Sequence, residues 1–297
     1  MFIVSEIAKR FASRIEHLPV RIVEFTSKRL RRRLAAGALL FATAAASGMA
    51  SAKDACPLQT LYALTQASLL PTGDDVPLVA EACKVWPYDE SLALAAVAYP
   101  LPESDDDGRV LRLVIAVLGA QEANILAVHE TDLTEDAAFA LIEDGLMLDT
   151  ARYDLAKGVR AFGVKVRSSA PGPSCPDGRF NDELTLYVRE GDALRPVFNS
   201  YTDFWARVEG EPCSWDQNQR LVTEEAAFTI GVERSAHNGF ADLRVTANVA
   251  RIESAATSDA EQTVRRRDSR IVRYDGTRYD TSALENGFFW TQAPEDK

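Results

Sequence analysis

The chain has 297 residues, 33 of them basic and 44 acidic, for a formal net charge of −11. A surface of that sign repels nucleic acid and anionic membrane, which excludes binders that work by neutralising phosphates. With 46% hydrophobic residues, the chain has enough apolar side chain for a substantial core.

Residues 1–52 read as an export signal with a long basic leader. Arg29, Arg31, Arg32 and Arg33 form a basic block, followed by an uncharged run from Leu34 to Ala46. Small residues at Ala50-Ser51-Ala52 then set a cleavage position after Ala52. The apolar run is about 13 residues, short of the roughly 20 that span a bilayer. No later stretch reaches that length without charge, so no membrane span is expected in the mature chain. Arg31-Arg32-Arg33-Leu34 is a loose twin-arginine match, with ordinary export as the main expectation. The chain is therefore expected in the periplasm, or secreted, as a soluble protein. Nine basic and three acidic residues precede Lys53, which leaves 24 and 41, a formal charge of −17 on the mature part.

All four cysteines fall in the mature part: Cys56, Cys83, Cys175 and Cys213. An even count in an exported chain reads as disulfides. Three pairings exist, and sequence neighbours are the simplest: Cys56 with Cys83, and Cys175 with Cys213. Zinc is disfavoured, because no Cys-x-x-Cys occurs and the mature part has only His129 and His237.

Residues 53–88 read as a helical segment. Leu58, Leu61, Tyr62, Thr65 and Leu69 recur at helical spacing. Residues 76–86 suggest a second short helix carrying Cys83. Residues 89–297 read as a β-rich domain. Val110 to Leu118 is apolar and β-branched, Gly119 to Glu122 makes a turn, and Ile125 to His129 returns as a hairpin. Asp132 and Glu135 stand at capping-box spacing, which predicts helix over 137–142. Residues 146–148, 160–167 and 184–188 predict strands. Pro171, Pro173 and Pro176 make 171–178 a loop. Residues 228–232 and 243–249 predict further strands. Residues 259–268, with Arg265, Arg266 and Arg267, predict a mobile charged loop. Asp275-Gly276 between 271–274 and 277–279 predicts a tight two-residue hairpin. The fold class expected is mainly β, with antiparallel sheets arranged as a sandwich, barrel or propeller, and a short helical segment at the start.

Motifs for chemistry are sparse. No Gly-x-Ser-x-Gly elbow, P-loop or Gly-x-Gly-x-x-Gly is present. His129 lies in a predicted strand and His237 in a polar turn, so both read as structural. Glu103, Asp105 and Asp107, followed by Gly108, resemble the opening half of a calcium loop. The twelfth position is Val114, so that motif is incomplete; Ca2+ is the one ion it suggests, and no other cofactor is expected. Tyr201, Phe204, Trp205 and Trp215 gather near Cys213, and Phe288-Phe289-Trp290 sits near the end, read as core.

Two further stretches, 83–87 (Cys-Lys-Val-Trp-Pro) and 148–163, together with 183–187 and the ending at 273–279, resemble an uncharacterised family of exported proteobacterial proteins. That resemblance implies no activity. A fainter one, carried by 239–246 and the terminal Tyr-Asp-Gly turn, is to β-rich periplasmic proteins that include lysozyme inhibitors. It implies no binding residues here. The function expected is non-enzymatic binding, with a cationic protein as partner and inhibition of a cationic hydrolase as the example. The alternatives are an envelope polysaccharide or peptidoglycan hydrolase using a carboxylate pair, and a structural envelope component.

Overall fold

The computed structural model describes residues 55–72, 77–102, 108–210, 213, 220–254 and 261–285. Across them β-branched and aromatic residues alternate with polar ones, and strands dominate accordingly. In chain order these are α1 (Leu58–Gln66), β1 (Ala80–Val85), β2 (Leu92–Pro100), β3 (Val110–Gly119), β4 (Ile125–Thr134), β5 (Leu141–Ala156) and β6 (Val159–Ser168). There follow β7 (Gly178–Glu190), β8 (Ala193–Glu209), β9 (Leu221–His237), β10 (Phe240–Ser254), β11 (Glu261–Val272) and α2 (Ser282–Glu285).

The strands form two antiparallel meanders. One runs β1 to β4. The other runs β5 to β11. They join at β8. Its start pairs with β4 in parallel, at Val128 and Ala193, while Asp203 to Glu209 pairs with β9. β8 is therefore long because two neighbours share one of its edges. β1 and β5 lie against each other, but no ladder links them among the described residues, so the sheet stays open.

Three cores result. Leu94, Ile115, Phe162 and Tyr187 belong to one, lined by β1 to β8. Leu186, Phe204, Val245 and Tyr279 belong to the second, lined by β5 to β11 and the final turn. The third lies between α1 and the outer face of β2 and β3, where Leu64 meets Val97, Val114 and Leu118. β3 is consequently buried on both faces from Leu113 to Leu118, which is why that stretch reads as an unbroken apolar run. Both expected disulfides form. Cys56 and Cys83 tie α1 to β1 with Cα atoms 4.7 Å apart, and Cys175 and Cys213 stand at 5.8 Å.

Four local expectations are corrected. Residues 80–85 form strand β1 rather than a helix, because pairing with β2 turns Ala80 and Ala82 into a core and overrides the helical preference of alanine. Residues 137–140 form a loop. Glu135 does not cap a helix; its carboxylate accepts from the Arg109 guanidinium and from the Leu141 N–H. Asp136 accepts from the N–H groups of Ala138 and Phe139, a local turn that competes with helix. Arg265, Arg266 and Arg267 lie in strand β11, because a twelve-residue register with β10 orders them. At the end, Tyr274 and Tyr279 form a single bridge around a four-residue turn, not a two-residue hairpin. The Asp275 carboxylate accepts from the N–H groups of Thr277 and Arg278, which closes the wider turn.

Candidate binding groove

A cavity of about 870 Å³ opens at one end of β6 to β9. It continues the face that carries Phe162 and Tyr187 inside the first core. Along β7 that face changes from Tyr187 to Thr185, Glu183, Asn181 and Arg179, so the apolar interior gives way to a polar mouth. Strand register aligns the facing residues. Glu183 pairs with Tyr201, and Arg179 pairs with Trp205. Trp205 in turn pairs with Glu225 on β9.

Two loops wall the groove. Residues 169–177 carry Pro171, Pro173 and Pro176 to its edge, and Cys175 is tied to Cys213. Residues 136–140 line the groove beside them, with the Ser169 N–H donating to the Ala140 carbonyl at 2.8 Å. Asn181 holds the base of the first loop: its amide oxygen accepts from the Ser168 N–H at 2.8 Å, and its Nδ2 donates to the Ser168 carbonyl at 3.0 Å. Ser168 Oγ reaches across to the second loop, accepting from the Ala140 N–H and donating to the Ala138 carbonyl. The walls are thus fixed by hydrogen bonds before any ligand arrives.

The groove exposes aromatic surface. Phe180 and Tyr201 are 47% and 44% exposed, large values for such side chains in a folded sheet. Their ring centres lie 5.6 Å apart, and Phe180 rests on buried Phe204 at 6.0 Å. Carboxylates flank the rings. Glu183 accepts from Asn199 Nδ2 at 2.7 Å, which orients it. Burial, and then the charge of Glu183, push the Tyr201 hydroxyl above its ordinary range. Arg179 also lines the groove, 3.6 Å from Asp203. On the reverse face of β7, Asp182 takes the Arg167 guanidinium at 2.6 and 2.7 Å.

Sequence reasoning singled out Tyr201, Phe204 and Trp205. Strand parity sends Tyr201 and Trp205 into the groove and Phe204 into the second core. Phe180, Glu183 and Glu225 were not foreseen: cross-strand pairing brings the two carboxylates to the groove, and Phe180, the register partner of Phe204, lines it too. Trp215, Phe288, Phe289 and Trp290 lie outside the described residues, as do the export signal and Glu103, Asp105 and Asp107. Gly108, which closes that acidic motif, has a steric role: a Cβ there would stand 2.2 Å from the Glu135 carbonyl oxygen.

The histidines take structural positions. The His129 ring lies 5.3 Å from Tyr187, and burial pushes its pKa down. His237 Nδ1 lies 2.6 Å from the buried carboxylate of Asp242, and Ser235 Oγ donates to the other Asp242 oxygen at 2.6 Å. Ser235 therefore addresses the aspartate and not the imidazole, so these three residues do not form a nucleophile–base relay. A second cavity, about 500 Å³, is crossed by its own contacts: Arg160 stacks 4.2 Å over Tyr88 and pairs with Asp154 at 2.5 Å.

The chain matches no protein-family model, and no curated protein or solved structure is significantly similar to it. Among the described residues no helix is long and apolar enough to cross a membrane.

Proposed function

We propose that this chain is an exported, non-enzymatic binding protein, acting in the periplasm or outside the cell, and that the groove over β6 to β9 receives its partner. The observation that carries this reading is the exposed pair Phe180 and Tyr201, set with Trp205 in a preformed cavity beside carboxylates. Exposed aromatic surface is costly in water and marks contact sites when it is clustered. Two disulfides suit an oxidising compartment. The partner is a cationic protein, with a basic envelope hydrolase as the example. Opposite charge would speed its encounter with the acidic mature chain, and salt would screen that attraction.

The test is a panel of lysozymes and other basic hydrolases passed over the immobilised, oxidised protein at low and high salt. Retention at low salt, lost at high salt and lost in Trp205→Ala, is the expected result. Retention of none, or retention unchanged in both Trp205→Ala and Tyr201→Ala, would rule the groove out as the contact site.

The alternative, an envelope polysaccharide or peptidoglycan hydrolase using a carboxylate pair, has less support. Glu183 and Glu225 line the same groove, but four residues of strand set them about 13 Å apart, beyond the roughly 5–9.5 Å that glycoside chemistry uses. Turnover of peptidoglycan or another envelope polysaccharide, abolished by Glu183→Gln, would favour it over binding alone.

A further inference from the structure

The groove is built from two repeated units. On β8, Tyr201 and Trp205 are four residues apart and so face the same way. Each has a carboxylate among its register partners: Glu183 across from Tyr201 on β7, and Glu225 across from Trp205 on β9, where Trp205 also has Arg179 across from it on β7. Register partners place their side chains about 5 Å apart at Cβ, close enough to act on one bound group. A ring face and a carboxylate together attract a cation from two directions, by the ring quadrupole and by direct charge. Four residues of strand set the two units about 13 Å apart.

We infer that the groove holds a basic peptide segment of the partner in extended form, with two lysine or arginine side chains four positions apart, one seated at Tyr201 and Glu183 and the other at Trp205 and Glu225. This rests on the groove being the contact site. The local charges agree with it. Among the described residues, Asp136, Glu183 and Glu225 line the cavity against Arg179, whose guanidinium lies 3.6 Å from Asp203. Lys165 and Arg167 serve Asp182 on the reverse face of β7. Seat one is the better ordered, since Asn199 orients Glu183 and Phe180 backs Tyr201. An extended ligand also matches the spacing, because a strand repeats its side-chain direction every second residue, as β8 does.

The experiment is calorimetric titration of the oxidised full-length chain with seven-residue peptides of Thr and Ser that carry lysine at positions two and six. Controls have lysine at two and four, a single lysine, or both lysines acetylated. The 2,6-dilysine peptide should bind about tenfold more tightly than the single-lysine peptide, the equivalent of one seat. Glu183→Gln and Glu225→Gln should each remove about five- to tenfold, and their effects should multiply, because the seats are too far apart to couple. Equal binding of the acetylated peptide, equal binding of the 2,4-dilysine peptide, or no binding at all would each overturn the inference. If a basic hydrolase is still retained in a Trp205-dependent way while the peptides fail, the groove stands as the contact site and the two-cation reading falls. Because the peptide series uses the unaltered chain, a misfolded variant cannot mimic either result.

Discussion

Asp182 stands in the left-handed backbone region, φ 52°, and its carboxylate takes a bidentate Arg167. The hydrogen bonds from Arg167, opposed by burial and helped by the charges of Arg167 and Lys165, hold its carboxyl below the usual range. Asp242 shifts the same way: burial raises it, but Ser235 and His237 together outweigh that. A group whose pKa is depressed by folding stabilises above its unfolded value and loses that contribution as pH falls through its folded value. Stability should therefore decline below about pH 4. Asp182→Asn keeps a residue that tolerates left-handed backbone, and should cost about 1–3 kcal/mol at pH 7. Urea unfolding at pH 7 and pH 2 checks this: the difference from the unaltered chain should shrink at pH 2, and an equal loss at both would sink the linkage. Glu224 is fully buried and lies 3.2 Å from Arg251. Arg251→Met removes this ion pair from the buried carboxylate and should cost about 3–5 kcal/mol in the same assay, whereas replacing both partners by methionine should recover most of it.

At the scale of elements, α1 is a nine-residue helix, too short to persist alone in water. Leu64 packs it onto β2 and β3, and the Cys56–Cys83 crosslink pins its start to β1 across a separation of 27 residues. Replacing both cysteines by serine should cost about 3–4 kcal/mol by the chain-entropy argument, read from the guanidinium midpoint. An unchanged midpoint would mean that packing alone holds the helix. Strand β11 raises the opposite problem. Among the described residues its only ladder is with β10, which makes it an edge strand. Arg265 and Arg267 are exposed there, alongside Val264, which is 53% exposed. Charge on such an edge discourages pairing with another chain. Arg265→Val with Arg267→Val should produce concentration-dependent association in sedimentation, and a monodisperse variant would show that the arginines are not the guard.

At the scale of the molecule, the two large cores share their walls. β7 sends Leu184, Leu186 and Val188 into one core and Tyr187 into the other. Neither core can be undone without exposing the other. Leu186→Ala should therefore lower stability by about 2–5 kcal/mol while near- and far-ultraviolet dichroism still report one coincident transition. Separate transitions would show that the meanders unfold independently. The same shared sheet builds the groove. β7 and β8 run on past the first core, and the inward face that holds Tyr187 becomes the floor lined by Glu183 and Tyr201.

Local pattern alone determined a good deal. Alternation and β-branching marked 110–118, 160–167 and 184–188 as strands, because a side-chain period of two is written directly into the chain. Cysteine count and order indicated both crosslinks. Where local preference competed with pairing, only the tertiary structure decided. Ala80 and Ala82 became strand, Glu135 became a partner of Arg109, and Arg265 to Arg267 became an ordered edge. The groove belongs to the same class. Tyr201 and Trp205 were visible in the sequence, but Glu183 and Glu225 stand 18 and 20 residues from them in the chain. Strand register, which depends on every cross-strand contact at once, sets each carboxylate beside its ring.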